Sequence, residues 1–157
     1  MPTPPFILEL RRSIGHAPLW LMGANVVVLR DGEVLLVRRS DSGEWSVISG
    51  IVDPGEHPSV TAVREAAEEA SVEIEIERLL WVNVTEPHVY ANGDQCQYLD
   101  HGFRARWLSG EARVGDEEST DVGWFPVDAL PEPRIPELET MIRLALEDRR
   151  DVAFHLD

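Results

Sequence analysis

Between residues 50 and 72 the chain sets Gly50, Glu56, Arg64, Glu65, Glu68 and Glu69 at intervals that could organise phosphate chemistry. On a helix that advances about 100° per residue, Glu65, Glu68 and Glu69 fall within an arc of roughly 100°. Ala62, Val63, Ala66, Ala67 and Ala70 take the opposite side. Three like charges at i, i+3 and i+4 repel, each pair costing a few tenths of a kcal/mol. A divalent cation would turn that cost into binding energy. Oxygen ligands without a thiolate suit Mg²⁺ or Mn²⁺, which keep several waters and bind substrate phosphates. An acidic helix face alone is ordinarily a solvated surface. The full spacing is another matter, since six such positions coincide about once per million starting points at ordinary residue usage.

The segment reads GIVDPGEHPSVTAVREAAEEASV and closely resembles the Nudix box, the 23-residue signature of the Nudix (MutT-like) hydrolases. The family pattern is glycine, five residues, glutamate, seven residues, Arg-Glu, an aliphatic residue, any residue, Glu-Glu, any residue, glycine and an aliphatic residue. Ser71 stands where the family has its second glycine, and Ala66 is a small version of the aliphatic position. Val47-Ile48-Ser49 replaces the Leu-Pro-Gly that often precedes the box. If position 71 needs positive φ, serine there costs about 1 kcal/mol. Outside the box, residues 34–39 are similar to the family strand that ends in paired arginines. Residues 122–126 are similar to its late strand with a Trp-Phe pair.

The resemblance implies an α/β Nudix fold, an α/β/α sandwich with a mixed sheet and the catalytic helix at about 58–70. It implies Mg²⁺-dependent hydrolysis of a phosphoanhydride in a nucleoside diphosphate linked to another moiety, with ADP-ribose-like compounds and nucleoside triphosphates both open. Mn²⁺ is expected to substitute. Glu65, Glu68 and Glu69 would hold the metal, with the Gly50 carbonyl as a further ligand and Glu56 supporting the network. Arg64 would orient a box glutamate through its planar fork. The general base is either a box glutamate or an acid of a later loop. Glu117 and Glu118 qualify, and the spacing to Trp124 favours Glu118.

For substrate binding, Arg39 matches a family position that can reach substrate, and Arg38 then points to the other face. Trp45, Tyr98, Tyr90 and Phe103 are candidates to stack on a base, set against ordinary core packing. His57, His88 and His101 have no metal-site spacing. Two other classes share this fold: a binding module without catalysis, and an isoprenoid diphosphate isomerase, which would need Cys96, the sole cysteine.

Composition narrows the field further. The chain has 157 residues, 29 acidic and 14 basic, for a formal charge of -15; all 14 basic residues are arginine. Without lysine there is no Schiff-base lysine and no P-loop lysine. The acidity argues against nucleic acid and anionic membranes as partners. A small nucleotide or diphosphate is the expected partner, and a homodimer stays open because family members are often dimers. One cysteine cannot form an internal disulfide, and no signal or membrane-spanning segment is legible, so a cytoplasmic setting is expected.

The positioning elements read as follows. Residues 1–157 form one domain, with an N-terminal extension and short helix in 1–20 and a C-terminal helix in 135–150. Phe6, Leu10 and Ile14 suggest a helix stopped by Gly15. Residues 26–29 and 34–37 flank Asp31-Gly32 as a hairpin. Residues 45–51 read as a strand broken by Gly50. The alanine-rich stretch from Pro58 to residue 70 reads as a helix. Residues 72–76 and 79–85 read as two strands, and Asn92-Gly93 turns the chain into a strand over 95–107. An acidic loop over 109–120 precedes a strand at 122–127, and a helix is expected over 136–149.

Overall fold

The computed structural model describes residues 3–156. Helix α1 (Pro5–Ile14) starts on a proline that needs no intrahelical partner and stops at Gly15, whose φ of +58° suits glycine. Strand β1 (Leu19–Arg30) is buried without interruption from residue 23 to 28, with Asn25 its one polar member. Such a nearly continuous buried run marks a strand covered on both faces. Asp31 and Gly32 both have positive φ, +48° and +81°, which gives the primed hairpin turn into β2 (Glu33–Arg39).

Two short strands follow, β3 (Trp45–Ser46) and β4 (Ile48–Ile51). Gly50 lies within β4, opposite Ala24 of β1, rather than breaking a strand. Helix α2 (Pro58–Ala70) has the expected bounds. The two strands expected over 72–85 are one strand, β5 (Glu73–Val84), with irregular register at 76/78 and 79/81. Bulges let one strand change which side chains face inward, and this imitates a break in the sequence pattern. Strand β6 (His88–Val89) turns through Asn92-Gly93 into the long β7 (Gln95–Ser109). After the acidic loop come β8 (Ser119–Pro126) and α3 (Leu138–Leu146), which is shorter at both ends than expected.

The strands form one mixed sheet in which β1 and β7 run parallel at the centre. Helix α2 sets Ala62, Ala66 and Ala70 on one face, over Val26, Leu35 and Ile48. Helix α3 sets Leu138, Met141 and Ile142 on the other, over Val27, Leu36 and Trp81. Helix α1 shares that second face, covering Leu21 and Cys96 with Ile7. This is the expected α/β/α sandwich. No helix among the described residues is long and apolar enough to cross a membrane.

Candidate metal and phosphate site

Helix α2 is turned differently from the simple wheel. Its buried row includes Thr61, Glu65 and Glu69 beside the alanines, while Val63 and Ala67 reach solvent. The expectation of three exposed carboxylates is thereby corrected. Glu65 and Glu69 are buried at 0% and 3% exposure, and of the three only Glu68 is open. Small alanines bring the helix close to the sheet, so the adjoining glutamate row is pulled under cover.

Glu65 owes its place to Gly50. A Cβ on Gly50 would lie 2.5 Å from the Glu65 Cγ and closer still to Cδ and Oε1. The first glycine of the box is therefore the floor on which this carboxylate rests. Arg64 then ties the cluster together. Its Nε and Nη2 donate to the two Glu56 oxygens at 3.1 and 3.0 Å. Its Nη1 donates to Glu65 Oε1 at 2.8 Å and Glu68 Oε2 at 3.2 Å. Thr61 Oγ1 also donates to Glu56, at 2.7 Å. Hydrogen bonds from Arg64 and Thr61 hold the Glu56 carboxyl down to about 2 despite its partial burial.

The other two buried acids behave in the opposite way. Burial pushes Glu65 up to about 7, with Arg64 opposing and Glu68 reinforcing. Burial pushes Glu69 up to about 8, and the charges of Glu65, Glu118 and Asp116 add to it. Glu65 Oε2 is sealed from solvent with no hydrogen-bond partner. A buried carboxylate oxygen without a partner is costly and calls for a cation or a proton. The donor set fits a hard divalent ion: carboxylate oxygens, no thiolate, and one oxygen unclaimed. Among the described residues no three His, Cys, Asp or Glu side chains converge as ready-made ligands. Glu65 and Glu68 each turn an oxygen to Arg64 instead.

The acidic loop after β7 completes the cluster. Its backbone closes the C-terminal end of α2: Arg113 N–H donates to Ala70 O at 3.1 Å and Gly115 N–H to Glu69 O at 2.9 Å. Gly115 is needed there, because a Cβ would lie 2.9 Å from the Glu68 carbonyl carbon and nearer still to its oxygen. Ser71 caps the helix in the left-handed region, at φ +58° and ψ +33°. This docking sets Asp116 and Glu118 close enough for their charges to act on Glu69. Ser40 N–H donates to Glu118 O at 2.8 Å, so the loop is also pinned to the end of β2. The sequence reading passed over Thr61, Asp116 and Gly115. The one signal for the two loop residues was a pair of glycines, Gly110 and Gly115, in a loop rich in acids.

The remaining candidates scatter. Arg39 grips Asp41 with both ends of its fork, at 2.9 and 2.6 Å, and the charge of Glu69 reaches it. Trp45 does not stack on anything from solvent. It is buried on the α3 face, edge-on to Phe125 with ring centroids 4.8 Å apart. Of the two readings open to it in the sequence, core packing is the one realised, since indole serves cores and base stacking equally well. Phe103 is buried beneath α2. Tyr98 lies beside α1, its hydroxyl 2.8 Å from that of Tyr90. His101 Nδ1 lies 3.2 Å from Gly23 O, and His88 packs on the Tyr90 ring. Two surface hollows, of about 260 and 760 Å³, lie at the far end of β1 and beside α3, and no box residue lines either.

The model of the NUDIX domain family matches residues 20–145. The chain belongs to the Nudix family. It is 38% identical over 109 residues to the NAD-capped RNA hydrolase NudC of Pseudomonas aeruginosa, a match covering 68% of this chain and 36% of that protein. It is 32% identical over 112 residues to the NudC of Pseudomonas fluorescens, again covering 68% and 36%. This Nudix chain thus spans about a third of the length of the curated relatives it matches. The solved MutT NUDIX hydrolase from Burkholderia pseudomallei is 29% identical with a TM-score of 0.62, covering 80% of this chain and 98% of that one. An ADP-ribose pyrophosphatase from Streptococcus suis, 20% identical, shares the fold with a TM-score of 0.66, covering 85% and 98%.

Proposed function

We propose that this Nudix domain hydrolyses a phosphoanhydride bond in a nucleoside diphosphate linked to another moiety, using Mg²⁺, with Mn²⁺ able to replace it. The observation that carries the reading is the pair of buried carboxylates Glu65 and Glu69, one with an unclaimed oxygen, beside the solvent-open Glu68. Buried acids with raised pKa values in a chain this acidic make sense as ligands of a cation.

Glu65, Glu68 and Glu69 would hold the metal, with the Gly50 carbonyl as a further donor. The bound ion would neutralise phosphate charge and make water a better nucleophile at neutral pH. Glu56 and Thr61 fix the guanidinium of Arg64, and Arg64 in turn fixes the aim of Glu65 and Glu68. Glu118, on the loop docked against α2, would take the proton from the attacking water; Glu69 is the alternative base. Arg39, at the rim, would meet the substrate phosphates once it leaves Asp41. The charge-assisted pairing suits phosphate as well as carboxylate.

A cysteine-dependent isomerase is not supported, because Cys96 is buried beneath α1 on the far face of the sheet from α2. A cytoplasmic setting accords with this single free thiol. The relatives named NAD-capped RNA hydrolase suggest dinucleotide-like substrates for the assay. The test is a hydrolysis panel of ADP-ribose, NAD, nucleoside triphosphates and nucleotide sugars, with Mg²⁺ and with Mn²⁺. Release of a nucleoside monophosphate or phosphate is expected, lost in Glu68→Gln and Glu69→Gln. Turnover that survives both substitutions would refute the assignment.

A further inference from the structure

On the face of the sheet opposite α2, two apolar clusters leave a polar strip between them. Ile7, Leu21 and Cys96 form the cluster under α1. Val27, Val47, Trp81 and Leu138 belong to the cluster under α3. Strand alternation puts Gly23 and Asn25 of β1 on this face, since Ala24 and Val26 face α2. The registers then set Asp100 of β7 beside Gly23, Ser49 of β4 beside Asn25, and Asn83 of β5 beside Asp100. Asp100, Ser49 and Asn83 are partly open to solvent, and Asn25 is buried.

Asp100 is held in place from two sides. A Cβ on Gly23 would lie 3.2 Å from the Asp100 Cγ and would overlap Oδ1, so the missing side chain gives the carboxylate its berth on β1. Burial pushes the Asp100 carboxyl above its ordinary range, while the nearby Asn25 side chain and the charge of His101 oppose that shift. Neither Asp100 nor Asn25 has a sealed polar atom lacking a partner. Gly23 thus fixes where this carboxylate lies on the partly open strip.

The strip also connects to the carboxylates of α2. β4 pairs with β1 on one side and with no strand on the other, among the described residues. Ser49 lies on the polar strip, and the next residue, Gly50, backs Glu65 on the opposite face. A ligand lying on the strip can cross the open edge of β4 and reach the acidic cluster one residue away.

We propose that Asp100, seated on Gly23, reads the base of the substrate through an edge with two adjacent N–H donors, as on guanine, while the diphosphate crosses the β4 edge. This deepens the hydrolase reading and rests on it for the position of the diphosphate. An ionised carboxylate accepts two parallel N–H bonds, and guanine offers N1–H beside its 2-amino group. Hypoxanthine lacks the 2-amino donor. Xanthine has a carbonyl in its place, which an amide would match.

The test is calorimetric binding of GDP, IDP and XDP to the full chain with Mg²⁺, which needs no turnover. The wild type should bind GDP about 10-fold or more tightly than IDP, the worth of one hydrogen bond to a charged group. Asp100→Asn should lose that preference and favour XDP over GDP, with an unchanged melting temperature. Equal wild-type affinities for GDP and IDP, or an unaltered GDP/XDP ratio in Asp100→Asn, would overturn the proposal. The wild-type ratio decides even if the variant folds poorly. Base preference without any hydrolysis would count against the reaction alone, and hydrolysis blind to the base against Asp100 alone.

Discussion

Replacing Gly50 by alanine adds one methyl group at the point where β4 meets the buried Glu65 side chain. The new Cβ would stand 2.5 Å from the Glu65 Cγ and nearer to its carboxyl atoms. Ordinary contact requires the side chain to retreat by about 1 Å, a shift of the size that costs roughly 100-fold when it moves a positioned group at an active site. Glu65 has little room to retreat, because its side chain is only 1% exposed and one oxygen is held by Arg64 at 2.8 Å. Overpacking of this kind costs about 1–3 kcal/mol in stability. Gly50→Ala should therefore lower the chemical-denaturation midpoint and reduce kcat/KM about 100-fold, while KM changes much less. The measurements are a denaturant titration and steady-state kinetics on the best substrate of the panel. A Gly50→Ala protein with wild-type midpoint and turnover would refute the view that this glycine exists to seat Glu65.

Ser71 carries a left-handed φ of +58° with a side chain attached. Ser71→Gly should stabilise the protein by about 0.5–1 kcal/mol in thermal or chemical unfolding without loss of activity; a destabilised variant would contradict the strain argument. The pH dependence without metal follows from the two raised acids. Both have folded values, about 7 and about 8, above their ordinary 4.5, so the folded state binds more protons between those limits. Metal-free stability should fall as pH rises from about 5 to 8, at up to ~1.4 kcal/mol per unit per group. Glu69→Gln should flatten much of that slope. Denaturation in a chelator at several pH values measures it, and stability that is level or rising over this range would count against the burial of the two acids.

Local elements were legible because their causes are local. Pro58 and the alanines of α2, the Asp31-Gly32 turn and the stop at Gly15 depend on neighbours in sequence. The β-branched runs at 26–29 and 34–37 marked the two arms of that hairpin. What escaped the sequence depends on distant packing. A helical wheel shows that Glu65, Glu68 and Glu69 cluster, but it cannot show that the 110–118 loop folds back on α2. That return, through Arg113 and Gly115, covers Glu69 and brings Asp116 and Glu118 beside it. Likewise nothing local tells Trp45 from an exposed stacking residue, because its burial is decided by α3 and Phe125. The role of Gly50 was legible as a motif position, and its physical reason came only from the side chain it supports.

If the α2 carboxylates form the cation site, they must bind a divalent ion in the absence of substrate. Mn²⁺ binding at pH 8, followed by loss of the free-ion electron paramagnetic resonance signal, tests it most directly. The wild type should bind Mn²⁺, Mg²⁺ should compete for it, and Glu65→Gln and Glu69→Gln should each weaken binding at least about 10-fold, the worth of one charged ligand. Equal Mn²⁺ affinity in all three proteins would contradict it.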